Sequence, residues 1–334
     1  MILIGGLLLG GCSSPTSTAQ PTLSLHPIQR NTVSPSPSPT WTLTPTPIPT
    51  PTSKPLAPDF VHIIVFFFEN HEYDVVVNNP AMPNYNHYIQ ENTLLTQYYA
   101  ITHLSLPNYI ATFGGDTFNI TTDCSKCFVD AASLPDQIES SGRTWRAYLE
   151  DMPRPCYIGD TATYVQKHDP FIYFDPIRLD PARCERSIVP LSQLETDLSV
   201  DNLPNFVYIM PNECNSAHDE YLNSNCNLAT ADSWLGGWVD KLSAYLQPRA
   251  DTEPYLIVLT WDEGQGSHSC CGLPKQAGGR VATVLISPLA KSGFLDDTAY
   301  THYSLLKTIE AAWGLPYLRH AGDESNALIT APWK

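Results

Sequence analysis

No aspartate or glutamate occurs before Asp59, and Arg30 and Lys54 are the only arginine and lysine there. Residues 13–58 are instead dominated by proline, serine and threonine. Such a stretch cannot bury a core and reads as an extended, disordered tether. Basic residues stay scarce further on: the whole chain has 18 Lys and Arg against 34 Asp and Glu. With Arg30 and Lys54 set aside, residues 59–334 carry a formal charge of −18. That balance disfavours nucleic acid and anionic membrane as electrostatic partners. It still admits a small anionic substrate, because a bound metal reverses the local sign. Residues 59–334 also show no membrane-spanning apolar run and no internal repeat, which excludes a helical membrane domain and a solenoid.

What is present begins with an apolar run, ILIGGLLLG at residues 2–10, followed by Gly11 and Cys12. Residues 1–12 read as an export signal. Leu9-Gly10-Gly11-Cys12 resembles a bacterial lipoprotein box with Cys12 as the lipidated residue, although the basic residues that usually open such a signal are missing. The alternative is an ordinary signal peptide with a chance cysteine. Either way the expectation is an extracytoplasmic protein, anchored to the cell membrane through lipid alone or secreted. Eight cysteines remain, an even number that favours disulfides in an exported domain. No second C-x-x-C accompanies Cys124-Ser-Lys-Cys127, which disfavours a zinc site there. Pairing by nearness gives 124–127, 156–184, 214–226 and 270–271, one of about 105 connectivities.

FVHIIVFFF (60–68), NFVYIM (205–210), YLIVLTW (255–261) and VATVLIS (281–287) are nearly unbroken apolar runs. Runs of that length suit strands buried on both faces of a sheet. Helical patterns lie between and after them: SLPDQIESSG with Ser133 as cap, Pro135 early and Gly142 as stop, then 232–246 and 302–314. The alternation predicts an α/β, three-layer sandwich with a mostly parallel central sheet over residues 59–334. Ligands bind beyond the carboxyl ends of such strands. Two strands end in oxygen-rich clusters, Glu69-Asn70-His71 and Asp262-Glu263-Gly264. Each alone reads as an ordinary solvated strand end. Together they read as a site for a hard divalent cation.

THLSLPNYIATFGG (102–115) places Pro107 in the first turn of a helix with Ser105 just before it. The N–H groups of a helix N-terminus suit an oxyanion, though a serine there more commonly caps the helix. ENHEYD, SLPNY, PNECNSAHD, TWDEG and GGRVATVLISPLAKSGF, in that order, resemble the bacterial phosphoesterase family of acid phosphatases and phospholipases C. That family has the alkaline-phosphatase-like fold, and the resemblance runs roughly from Phe60 to Gly314. Relatives more often show ENHS or ENRS where this chain has Glu72.

The resemblance implies one divalent metal ion, of no specified identity, held by Glu69, Asn70, Asp262, Glu263 and the hydroxyl of Ser105. It makes Ser105 the nucleophile and puts Asn70 beside the phosphoryl group. His218 and Asp219 match a motif close to the reacting phosphate, and Lys167 and His168 match a segment that supplies phosphate-facing groups. Asn108 of SLPNY joins the substrate-facing candidates, as does His103, two residues before the nucleophile. A proton is needed for the leaving alkoxide, and histidine is its usual donor; His218 is the first candidate and His168 the second. The implied partner is a small phosphorylated substrate.

The expected activity is an exported, metal-dependent phosphomonoesterase acting through phosphoserine. A phospholipase C would use the same groups on a diester, and the short run after the last predicted helix tilts the expectation to the monoesterase. A non-catalytic surface binding protein is the third reading, disfavoured because Ser105 and both acidic pairs are present. No C-x-P-x-R occurs, which argues against a sulfatase. Asp262 and Asp219 are followed four residues on by Gly266 and Asn223, not by the histidine of a two-zinc site.

Overall fold

All seven residues of the first strand, β1 (His62–Phe68), are buried. Alternate side chains of a strand point to opposite faces, and both faces are covered. Phe66 and Phe68 meet Trp234 of the Leu228–Leu246 helix. Phe67 points the other way, into Tyr109 and Phe113 of the Ser105–Gly114 helix and His302 of the His302–Ala312 helix. The structure is a computed structural model describing residues 56–218 and 225–334. Cys12, the export segment, the tether up to residue 55 and Asp219 lie outside the described residues.

The other strands are β2 (Thr93–Tyr99), β3 (Trp145–Leu149), β4 (Ile188–Pro190), β5 (Phe206–Met210), β6 (Tyr255–Trp261), β7 (Thr283–Ile286) and β8 (Phe294–Thr301). They form one sheet in the order β4-β3-β5-β1-β6-β7-β2-β8. The four apolar runs of the sequence are β1, β5, β6 and β7. The sheet is mostly parallel, with β7 the exception: it is antiparallel to both β6 and β2, and every other pairing is parallel. A strand buried on both faces has the same composition in either direction, so the run itself carries no sign of its orientation. β8 lies at a sheet edge with an alternating, half-exposed pattern, and β4 at the other edge has three residues, so neither presents an apolar run.

The Leu134–Ser140 helix has Ser133 as N-cap in a capping box with Asp136, and Gly142 beyond its end at φ +80°. The second predicted helix begins earlier than its pattern suggests, at Leu228, because the Asn227 side chain caps it by accepting from Thr230 N–H. Disulfides join Cys124–Cys127, Cys156–Cys184, Cys214–Cys226 and Cys270–Cys271, the four pairs given by nearness.

Candidate active site

β1 and β6 pair in register with Phe68 opposite Trp261. The residues that follow, Glu69 and Asp262, therefore leave the sheet side by side. β5 runs parallel on the other side of β1, so Glu213 and His218 emerge at the same edge. β2 shares that direction and leads through a short loop into Ser105, the first residue of its helix. β8 delivers His302 there as well. Five strand ends thus converge on one edge.

Glu69 is fully buried at the centre. Its Oε1 accepts from Tyr109 Oη at 2.8 Å and lies 2.8 Å from His168 Nε2. Its Oε2 accepts from Ser105 Oγ at 3.0 Å, Lys167 Nζ at 3.2 Å and Asn70 Nδ2 at 3.3 Å. Burial works against the charge, but the Lys167 ammonium and the adjoining histidines outweigh it and hold the carboxyl well below the usual range. Ser105 Oγ also faces Glu263 Oε1 at 3.4 Å and Lys167 Nζ at 3.4 Å. It does not cap its own helix. The first-turn N–H of Leu106 goes to Asp123 Oδ1 at 2.9 Å instead.

Asp262 and Glu263 show the opposite perturbation. Burial, then the charges of Glu69 and Glu263, push the Asp262 carboxyl well above its ordinary value. Burial, then Glu69 and Asp123, push Glu263 up to about 8. Asp262 Oδ1 accepts the N–H groups of Asn70 and Glu263, whereas Oδ2 is buried with no hydrogen-bond partner. Crowded carboxylates with an orphaned oxygen are the environment a cation relieves. The oxygen-only donors also suit a hard divalent ion. Among the described residues, no three His, Cys, Asp or Glu groups are already arranged as a metal site.

The histidines separate by access. His168 is buried behind Glu69, 3.4 Å from Glu213 Oε1. His218 is partly exposed and lines a cavity of about 380 Å³ with Asp123, Ser125, Lys167, Tyr173 and Glu213. Its Nδ1 lies 3.0 Å from Glu213 Oε2 and its Nε2 3.4 Å from Lys167 Nζ. The Glu213 hydrogen bond outweighs burial and, with Glu69, raises the ring's pKa to about 9. For Lys167, burial lowers the pKa but Glu69, Asp262 and Glu213 raise it further, so it stays charged. His103 bonds Glu263 Oε2 through Nδ1 and Gly266 O through Nε2 at 3.0 Å.

Asn108, expected among the substrate-facing residues, is buried and bonds its own loop. Its Oδ1 accepts from Ile101 and Thr102 N–H, and its Nδ2 donates to the carbonyls of Thr102 and Leu104. With the amide's donors spent and both oxygen contacts internal, this buried residue braces the loop ahead of Ser105. His71 packs edge-on against Trp261.

Four neighbours of the site escaped the sequence reading. Tyr109 and Glu213 stood inside SLPNY and PNECNSAHD, and that membership was the available signal. Asp123, directly before Cys124, gave none. His302 looked like a helix-start residue. It is that, but its Nε2–H donates to the Asp262 carbonyl at 2.7 Å, and its Nδ1 accepts from Tyr98 Oη at 3.1 Å. Burial lowers its pKa to about 4 and keeps it neutral.

A model of the phosphoesterase family matches residues 76–316. The chain belongs to that family. A phosphate-repressible acid phosphatase of Penicillium chrysogenum is 35% identical over 240 residues, which is 69% of this chain and 54% of that one. A phosphatidylinositol-3-phosphatase of Mycobacterium tuberculosis is 30% identical over 271 residues, covering 79% of this chain and 80% of its own length. The chain spans about half the length of the Penicillium relative. A crystal structure of a protein in the alkaline phosphatase superfamily, from Vibrio parahaemolyticus, aligns with a TM-score of 0.53 at 13% identity. It covers 82% of this chain and 74% of that one. At that identity the likeness concerns the fold: the phosphoesterase chain is an α/β protein with a mostly parallel sheet of the alkaline-phosphatase-like kind.

Proposed function

We propose that the chain is a phosphatase acting on small phosphomonoesters, with Ser105 as nucleophile and a phosphoserine intermediate. The observation that carries this reading is the placement of Ser105 Oγ. It turns away from its helix toward Glu69, Glu263 and Lys167, with His218 across Lys167. The acid phosphatases among its relatives support the monoester choice.

In the first half-reaction Ser105 Oγ attacks phosphorus, its proton passes to a carboxylate it already faces, and the bond to the leaving oxygen breaks. His218 donates its Nε2 proton to that oxygen, with Glu213 holding Nδ1. Lys167 sits where negative charge gathers on the phosphoryl oxygens. In the second half-reaction water gives a proton to His218 and attacks the phosphoserine. The serine oxygen takes its proton back and inorganic phosphate leaves. His168 and Tyr109 orient Glu69 and stay out of the proton path. One divalent cation, held by Glu69, Asn70, Asp262, Glu263 and Ser105, would neutralise the phosphoryl oxygens and lower the pKa of the serine hydroxyl. An extracytoplasmic location is part of the proposal, supported by the four disulfides.

The test uses the protein expressed in an oxidising compartment beside Ser105→Ala. Both are assayed on p-nitrophenyl phosphate and p-nitrophenyl phosphorylcholine with and without chelator. Chelator-sensitive monoester hydrolysis that Ser105→Ala lacks supports the proposal. Preference for the choline diester moves it to a phospholipase C. A folded wild type inert on both substrates with added divalent metals, or full activity in Ser105→Ala, overturns it and leaves a binding protein.

A further inference from the structure

Glu72 follows the Glu69-Asn70-His71 cluster and touches none of the groups assigned above. Its carboxylate is nonetheless built in. Oε2 accepts the N–H of Gly266 at 2.9 Å, and Oε1 accepts the N–H of Arg280 at 2.9 Å. Oε1 also lies 3.2 Å from Nδ1 of the exposed His268. Three glycines make room for it. A Cβ added at Gly264 would come within 2.1 Å of Glu72 Oε2, one at Gly279 within 2.6 Å, and one at Gly266 within 3.0 Å of both oxygens. The antiparallel direction of β7 is what brings Gly279 and Arg280 to this edge of the sheet.

The carboxylate therefore clamps the segment that follows Asp262 and Glu263 to the segment that enters β7. Gly266, held through its N–H, presents its carbonyl to His103 Nε2 at 3.0 Å. A carbonyl only accepts, so this contact requires the proton on Nε2 and fixes the ring's orientation. The other nitrogen, Nδ1, is then aimed at Glu263 Oε2, and Glu263 Oε1 faces the Ser105 hydroxyl at 3.4 Å. Contacts run unbroken from Glu72 through Gly266, His103 and Glu263 to Ser105.

We infer that Glu72 is a positioning residue: through Gly266 it sets the orientation of the His103 ring, and so the stance of Glu263 at the nucleophile. The inference rests on the roles given above to Ser105 and Glu263. A serine at this position would be too short to span both N–H groups.

The experiment is a double-mutant cycle of Glu72→Ala and His103→Ala on the full protein, with p-nitrophenyl phosphate kinetics and thermal unfolding of each variant. Loss of an outer hydrogen-bond partner of this kind typically lowers activity by about 10- to 100-fold. The expected result is a fall of that size in kcat for Glu72→Ala, with KM little changed, and no further fall when His103 is already alanine. Equal losses in both backgrounds, or unchanged kcat in a folded Glu72→Ala protein, overturn the inference. Should Glu72→Ala not fold, Glu72→Gln takes its place: it fills the same space but sets an NH₂ against one of the two N–H donors. A readout independent of turnover is the ¹⁵N-imidazole NMR spectrum of His103. The Nε2–H signal, protected in the wild type, is expected to become exchangeable in the Glu72 variant. If the wild type is inert but that change occurs, the phosphatase reading fails and the positioning holds. If the signal is unmoved, the positioning fails whatever the activity.

Discussion

Replacing Glu213 by glutamine isolates the proton donor. In the wild type the Glu213 carboxylate lies 3.0 Å from His218 Nδ1 and is the largest cause of that ring's raised pKa, about 9. The form that donates to the leaving oxygen is the protonated ring, so activity persists below this pKa and falls as pH rises through it. Glutamine keeps the size and an oxygen for Nδ1–H but removes the charge. Burial then acts against the imidazolium with only Glu69 to favour it, and Lys167 opposing. The alkaline limb of the kcat/KM profile is expected to move down by about 1–2 pH units. For a move from 9 to 7, the protonated fraction at pH 8 drops from roughly nine-tenths to roughly one-tenth. At pH 6 the variant should be nearly as active as the wild type. The same linkage bears on stability: the contribution of the pair is complete below the unfolded histidine pKa of about 6.5 and disappears as pH rises through about 9. The assay is p-nitrophenyl phosphate hydrolysis from pH 5 to 10. A uniform loss at every pH with the limb unmoved would refute the assignment of His218 as donor governed by Glu213.

Asp262→Asn removes one of the crowded carboxylates; burial, then the charges of Glu69 and Glu263, push Asp262 upward. In chelator the variant should melt at or above the wild type. A divalent ion at a hundred times its dissociation constant should stabilise the wild type by about 2.7 kcal/mol and the variant by much less, read by thermal shift. Glu310 is buried, and burial raises its carboxyl to about 8 although the Leu318 N–H bonds it. An acid raised in the folded state binds protons that the unfolded chain has released. Stability should therefore fall by up to about 1.4 kcal/mol per pH unit between roughly pH 4.5 and 8. Glu310→Gln should flatten that slope in denaturant titrations; an unchanged slope would show that Glu310 is not its source.

How far the site could be read in advance varied by residue. Glu69 and Asp262 were visible because each ends a run too apolar to be anything but a buried strand, and strand ends are where sheet proteins place ligands. Ser105 was visible through Pro107 and the following helix. Glu213 lay inside a motif without standing out, since nothing local distinguishes a carboxylate that orients a histidine from one in solvent. The loop-bracing contacts of Asn108 could not be read locally, because an amide that binds backbone and one that binds substrate have the same neighbours in sequence. His302, Asp123 and Glu72 gave no local sign of their contacts, whose partners are distant along the chain: Asp262, Leu106 and Gly266.

The amino-acid sequence by itself determined the four apolar strands, the Ser133 cap and the pairing of neighbouring cysteines, because each is set by residues near one another in the chain. Only the tertiary structure decided strand order, the reversal of β7, the register that sets Glu69 beside Asp262, and which histidine reaches the cavity. Those depend on side-chain packing across elements far apart in sequence, where two-faced apolar strands can pair in either direction until the whole core is assembled.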